Sequence, residues 1–197
     1  MSRRPGKRSA AARMRWQPIA AAFGVALGTA AILWLMGRPP ICRCGVVDLW
    51  VANASSARTS QMLTDWYSAS HVLHGILLFA AFAVLLRRVS VERRFLLAVA
   101  VEAAWELVEN SPVIIHRYRE STVALGYTGD SILNSMSDIA FMGVGFWLAR
   151  KLPWWATVAL AILLELVPLY VIRDNLLLNI WMLIAPNAQV RGWQAAG

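Results

Sequence analysis

The chain has 197 residues, 58% of them apolar and only 15% charged, with a mean hydropathy of +0.53. Soluble domains run at roughly 45–50% apolar and about 25% charged, so this composition excludes a disordered chain, a secreted disulfide scaffold and an ordinary cytosolic enzyme. The net charge of +8 comes from Lys and Arg clustered between apolar runs, which reads as a membrane topology signal and not as nucleic-acid binding.

Residues 1–15 form a basic tail with Arg3, Arg4, Lys7, Arg8, Arg13 and Arg15 and no acid. The apolar run that follows is about 20 residues long, enough to cross a hydrocarbon core of ~30 Å. It is longer than the h-region of a signal peptide, and its exit at Gly37-Arg38-Pro39-Pro40 has no small-residue cleavage site, so it reads as an uncleaved first span over 17–37. Residues 38–66 are polar and loop-like. Further spans are expected at about 69–87, 94–110, 130–150 and 153–172, with 111–129 as a loop containing Pro112, Gly126 and Gly129. The apolar stretch 176–185 is too short to span as a helix, so 175–186 is read as an interfacial or re-entrant segment.

The expected fold is therefore all-α integral membrane: a bundle of five transmembrane helices plus that short C-terminal segment, forming one polytopic domain over 16–197. Lys and Arg set the orientation. Six lie in 1–15, four in 87–94 and two at 150–151, against seven in the intervening segments, which predicts a cytoplasmic N-terminus and an outer C-terminus. Trp16, Trp50, Trp66, Trp154, Trp155 and Trp193 fall near the predicted interfaces, as an aromatic belt would. Cys42 and Cys44 lie in the first outer loop. They read as a small loop disulfide or as two unpaired thiols, with a redox or metal role as the alternative.

The informative residues are the polar ones inside the apolar spans. Asp65 precedes span two, which carries His71 and His74 three residues apart on one face. Span three carries Glu102, Glu106 and Glu109, which at about 100° per residue form one narrow stripe, and Asn110 follows. Span four opens with Asp130 and carries Asn134, Ser137 and Asp138. Span five holds Glu165, which reads singly as a neutral interhelical hydrogen-bond partner, and Arg173, Asp174 and Asn175 close its outer end. At a rise of about 1.5 Å per residue, Glu102, Asp138 and Glu165 fall near mid-bilayer and the others in the outer half.

Each ionisable group at such depth costs at least about 2.5–3.5 kcal/mol. The carboxylates must then face inward, share protons, pair with cations or hold a metal. His71 and His74 are candidate ligands of a divalent metal. Glu102, Glu106 and Asp138 are candidate acid/base groups. Asp65, Glu109, Asn110, Arg119, Asp130, Asn134, Arg173, Asp174 and Asn175 are candidate binding residues, with Arg119 a candidate clamp on a lipid headgroup. The Glu-x-x-His motifs of di-iron bundles are absent, as are P-loop, dinucleotide-binding and nucleophile-elbow motifs.

Six motifs carry a resemblance. They are Cys42-Arg43-Cys44-Gly45, Asp65-Trp66-Tyr67-Ser68 with His71 and His74-Gly75, Glu102-Ala103-Ala104-Trp105-Glu106 with Glu109-Asn110, Tyr118-Arg119, Gly129-Asp130-Ser131 with Asn134 and Asp138, and Arg173-Asp174-Asn175 with Asn179. Over roughly residues 30–194 the chain resembles an uncharacterised family of bacterial multi-pass inner-membrane proteins. The resemblance implies a bacterial inner-membrane location and no established activity or cofactor. A more distant likeness is to VanZ-like membrane proteins, which would imply the cell envelope. Three functions follow as expectations. The first is an outward-facing His/carboxylate pocket that binds an ion or a lipid headgroup. The second is an intramembrane, metal-dependent enzyme acting on an envelope lipid. The third is a non-catalytic scaffold whose polar groups lock the bundle, with the lipid bilayer as partner in every case.

Overall fold

The computed structural model describes residues 16–122 and 126–196, and the basic tail over 1–15 lies outside the described residues. These residues form eight helices and no strand. They are α1 (Trp16–Leu35), α2 (Ser68–Leu85), α3 (Val91–Glu109), α4 (Pro112–Ser121), α5 (Ile132–Lys151), α6 (Trp154–Ile172), α7 (Leu176–Ile184) and α8 (Ala188–Ala195). Four of them, α1, α2, α5 and α6, are long and apolar enough to cross a membrane. The third expected span is also a helix of 19 residues, α3. It carries Glu92, Arg93, Arg94, Glu102, Glu106 and Glu109, so length and apolarity alone do not mark it as a span.

The loop expected over 111–129 is corrected in its first half, where α4 forms. Its start signal is local: the Ser111 side chain accepts from the Ile114 N–H, and Pro112 occupies the first turn, where its missing N–H has no cost. The short C-terminal segment is the helix α7, capped by Asn175 Oδ1 on the Leu178 N–H at 2.8 Å. A further helix not expected from the sequence, α8, is capped by Asn187 on the Gln189 and Val190 N–H groups. Asp130 precedes α5 rather than lying inside it. In the long segment between α1 and α2, Cys42 and Cys44 are joined as a disulfide, with Cα atoms 5.1 Å apart.

Packing divides the bundle along its length. One end is apolar, built on Ala22, Ala98, Val99, Ala103, Ile139, Met142 and Phe146. The Phe146 ring is fully buried and meets Phe79 and Phe95 edge-on at 5.2 and 5.4 Å. α2 packs chiefly on α5, and α3 on α1. Two glycines set how closely α2 and α5 approach. A Cβ on Gly75 would fall on the Met142 carbonyl, and one on Gly145 on the Val72 carbonyl, so the two backbones touch where side chains would hold them apart. The opposite end holds the start of α2, the end of α3 and the start of α5. There the first N–H groups of α5 are satisfied from outside the helix, by Ile132 and Leu133 donating to the Pro39 and Pro40 carbonyls at 2.8 and 3.1 Å.

Enlarging the glycine contact is expected to separate α2 from α5. Gly145→Ala should lower stability in detergent by about 1–3 kcal/mol through overpacking, and Gly145→Leu should abolish the folded species. Thermal unfolding followed by size-exclusion profile checks both. An unchanged Gly145→Leu profile would contradict the close backbone contact.

Candidate functional site

The polar residues of three separate helices meet at one end of the bundle. α2 enters there with His71 and His74, α3 leaves there with its glutamate stripe, and α5 starts there with Asn134 and Asp138. Glu102 lies between the two histidines: its Oε1 is 2.5 Å from His71 Nδ1, and both its oxygens are 3.1 Å from His74 Nδ1. The two imidazoles meet edge to face at 5.3 Å, and His74 leans on Trp105. On its other flank His71 faces Glu106 at 3.7 Å from Nδ1 and Asp138 at 3.8 Å from Nε2. His71, Glu102, Glu106 and Asp138 are all buried. Neither oxygen of Glu106, nor Oδ1 of Asp138, has a hydrogen bond within 3.5 Å, and the Ser135 hydroxyl lies near Glu106.

Two triads therefore share His71. In His71, His74 and Glu102, and again in His71, Glu106 and Asp138, one donor atom per residue lies within 4.8 Å of the others. Donors about 2.0–2.2 Å from a metal stand at most about 4.4 Å apart, so either set closes on an ion with a small side-chain adjustment.

These groups border a cavity of about 820 Å³. Of the expected site residues, Asp65, His71, His74, Glu102, Glu109, Asp130, Asn134 and Asp138 line it. Glu106 lies behind its wall against His71. Asn110, Asp65 and Asn134 hold the surrounding chain rather than project as free donors. Asn110 Nδ2 donates to Asp130 Oδ2 at 2.7 Å, while the Asp130 N–H donates to Asn110 Oδ1 at 2.7 Å. Asp65 accepts from the Ser60 and Tyr67 N–H groups, and Asn134 donates to the Met62 carbonyl. Burial pushes the Asp130 carboxyl up to about 6, against hydrogen bonds from Tyr127 and Asn110 that favour its charged form.

The arginines stand elsewhere. Arg119 is exposed, donates to the Tyr127 carbonyl at 2.5 Å and does not line the cavity. Arg173 has a left-handed backbone, donates to the Trp193 carbonyl and lies over the Trp193 ring. Asp174 and Asn175 sit beyond the lining, where Asp174 accepts from the Tyr67 hydroxyl at 3.2 Å and Asn175 caps α7. Glu165 is apart from the cluster and accepts from the Leu177 N–H, so it ties α6 to the first turn of α7.

The sequence reading missed the aromatic part of the wall: Tyr67, Trp105, Tyr118 and Tyr127 all line the cavity, with Asn179 from α7 hydrogen-bonded to the Tyr118 hydroxyl at 3.1 Å. Tyr67 and Trp105 stand beside the marked Asp65 and Glu106, a signal that was present. Tyr118 and Tyr127 came from a segment read as loop, so nothing fixed their direction.

The profile of a family described as Protein of unknown function (DUF2585) matches residues 33–196. A UPF0314 protein of Novosphingobium aromaticivorans is 51% identical over 182 residues, covering 90% of this chain and 92% of that one. A UPF0314 protein of Sphingopyxis alaskensis is 49% identical over 168 residues, covering 85% and 89%. A third, from Agrobacterium fabrum, is 48% identical over 183 residues, covering 93% and 91%. No solved structure matches the chain.

Asp174 gives the site's rim a pH dependence. Burial raises its carboxyl to about 6, against the hydrogen bonds from Asn175, Asn179, Tyr67 and Gln194. The folded state thus holds this proton more tightly than the unfolded chain. Its contribution to stability is complete below about pH 4 and is lost as pH rises through about 6. Asp174→Asn should flatten that part of the stability profile, measured as melting temperature in detergent between pH 4 and 7. Parallel curves for the two proteins would contradict the assignment.

Proposed function

The chain belongs to the DUF2585 family of proteins of unknown function, and we propose that it is a bacterial inner-membrane protein whose outward-facing cavity binds a divalent metal ion. The spans in this reading are α1, α2, α3, α5 and α6. The basic tail over 1–15 lies in the cytoplasm, the C-terminus lies outside, and α7 and α8 lie at the outer interface. Four apolar helices and the Lys/Arg distribution support the membrane placement. Glu102 and Glu106 of α3 are buried against His71 of α2, and Glu109 lines the cavity, which allows a helix of that charge to span.

One observation carries the metal. Hydrogen bonds within the cluster satisfy Glu102 but give Glu106, at 0% exposure, none within 3.5 Å and only the Ser135 hydroxyl nearby, beside a histidine that faces Asp138 as well. A buried carboxylate without a donor is costly, and a cation seated on His71 removes that cost. In this reading Glu102, Glu106 and Asp138 act as ligands rather than as acid–base groups. Mixed imidazole and carboxylate donors suit zinc, manganese or iron better than a soft metal. A phosphate headgroup held by Arg119 is disfavoured, because that side chain is turned to the Tyr127 carbonyl outside the cavity.

Elemental mass spectrometry of protein purified in mild detergent without chelator tests this directly. About one ion per chain is expected in the wild type, strongly reduced in His71→Ala/His74→Ala, and reduced in Glu106→Gln with an unchanged elution profile. A wild-type protein that holds no metal, and takes up none from added zinc, manganese or iron salts, would leave the cluster as a structural lock.

A further inference from the structure

The cavity has two kinds of wall, and the second points to what else enters it. Leu77 of α2 and Val101 of α3 line it and are 52% and 47% exposed, so it reaches the outer surface of the bundle between them. Leu77 is the tenth of 18 residues of α2, and Val101 the eleventh of 19 of α3. Both lie at mid-helix, where a spanning bundle is surrounded by hydrocarbon. Val171, at the end of α6, and Ile180 of α7 also line the cavity and are exposed, nearer its outer end. An apolar gap at that depth admits an acyl chain and offers nothing to a water-soluble ligand.

Charge selects the head. The lining carries five carboxylates, from Asp65, Glu102, Glu109, Asp130 and Asp138, and two histidines, with no Lys or Arg among the described residues. Glu109 lines the cavity together with Trp105 and Tyr118. Aromatic rings and carboxylates in one lining are the surroundings that favour an organic ammonium group.

We propose that the cavity receives an ammonium-bearing phospholipid from the bilayer, with its chains leaving between Leu77 and Val101 and its ammonium group held at Glu109 and Trp105. The inference rests on the membrane placement above and not on the metal. The Glu109 position lies two turns along α3 from Glu102, so both ligands fit one cavity.

Native mass spectrometry of the detergent-solubilised full chain tests it with two lipids of identical acyl chains, phosphatidylethanolamine and phosphatidylglycerol. The ethanolamine lipid is expected to bind about tenfold more tightly. Glu109→Gln should remove that preference. Leu77→Trp/Val101→Trp, at two exposed positions that the fold does not need, should weaken binding of the ethanolamine lipid. Equal affinity for the two lipids, preference for the glycerol lipid, or equal binding of soluble glycerophosphoethanolamine and the intact lipid would each overturn the proposal. Metal content measured on the same samples separates the two readings. Lipid preference without metal leaves this one standing alone, and metal without lipid preference removes only this one.

Discussion

A carboxylate inside an apolar helix must find a partner within the bundle, and this molecule is arranged around that requirement. Glu102 on α3 reaches two histidines on α2, and His71 in turn faces Asp138 on α5. Breaking one member would strand a buried polar group at a cost larger than the net worth of the contact. Three helices are thereby fixed in rotation about their own axes, because turning any one of them would carry its acids or histidines toward the surface. α1 carries no acid, and α6 is held apart from the cluster by Glu165, which accepts from the Leu177 N–H of α7, with Pro168 as its buried residue.

The close approach of α2 and α5 serves the same end. Gly75 follows His74 directly, and Gly145 stands two turns along α5 from Asp138. Their missing side chains let the two backbones meet, which brings His71 within reach of Asp138. The apolar half, centred on Phe146, supplies packing energy that the polar half cannot. The division is physical: burial against Phe146 stabilises the bundle, while the polar end fixes its register.

Buried backbone outside regular helices has to be satisfied inside the protein. The segments beyond the polar end meet this with side chains. Arg38 donates to the Thr128 carbonyl, Arg117 to the Leu183 and Ile184 carbonyls, and Gln61 to the Gly129 carbonyl. Arginines that counted in the sequence as charge serve here as donors to loop and helix-end carbonyls. That leaves the cavity acidic, and so suited to a metal ion or an ammonium group rather than to an anionic headgroup.

The sequence by itself determined the all-helical class, the positions of the long helices and which of them carry the acids and histidines. Those are set by local run length and by a 3.6-residue period, which a single chain carries in full. His71, His74 and the Glu102–Glu106–Glu109 stripe were legible because each lies on one face of one helix. Tertiary structure alone decided which faces meet, because rotation of one helix against another is not encoded in either helix separately. It also turned Arg119 and Arg173 away from the cavity, folded 112–121 into a helix and set Tyr118 and Tyr127 in the wall. Those residues lie in short segments whose direction depends on distant carbonyls and caps, and no periodicity within the segment records it.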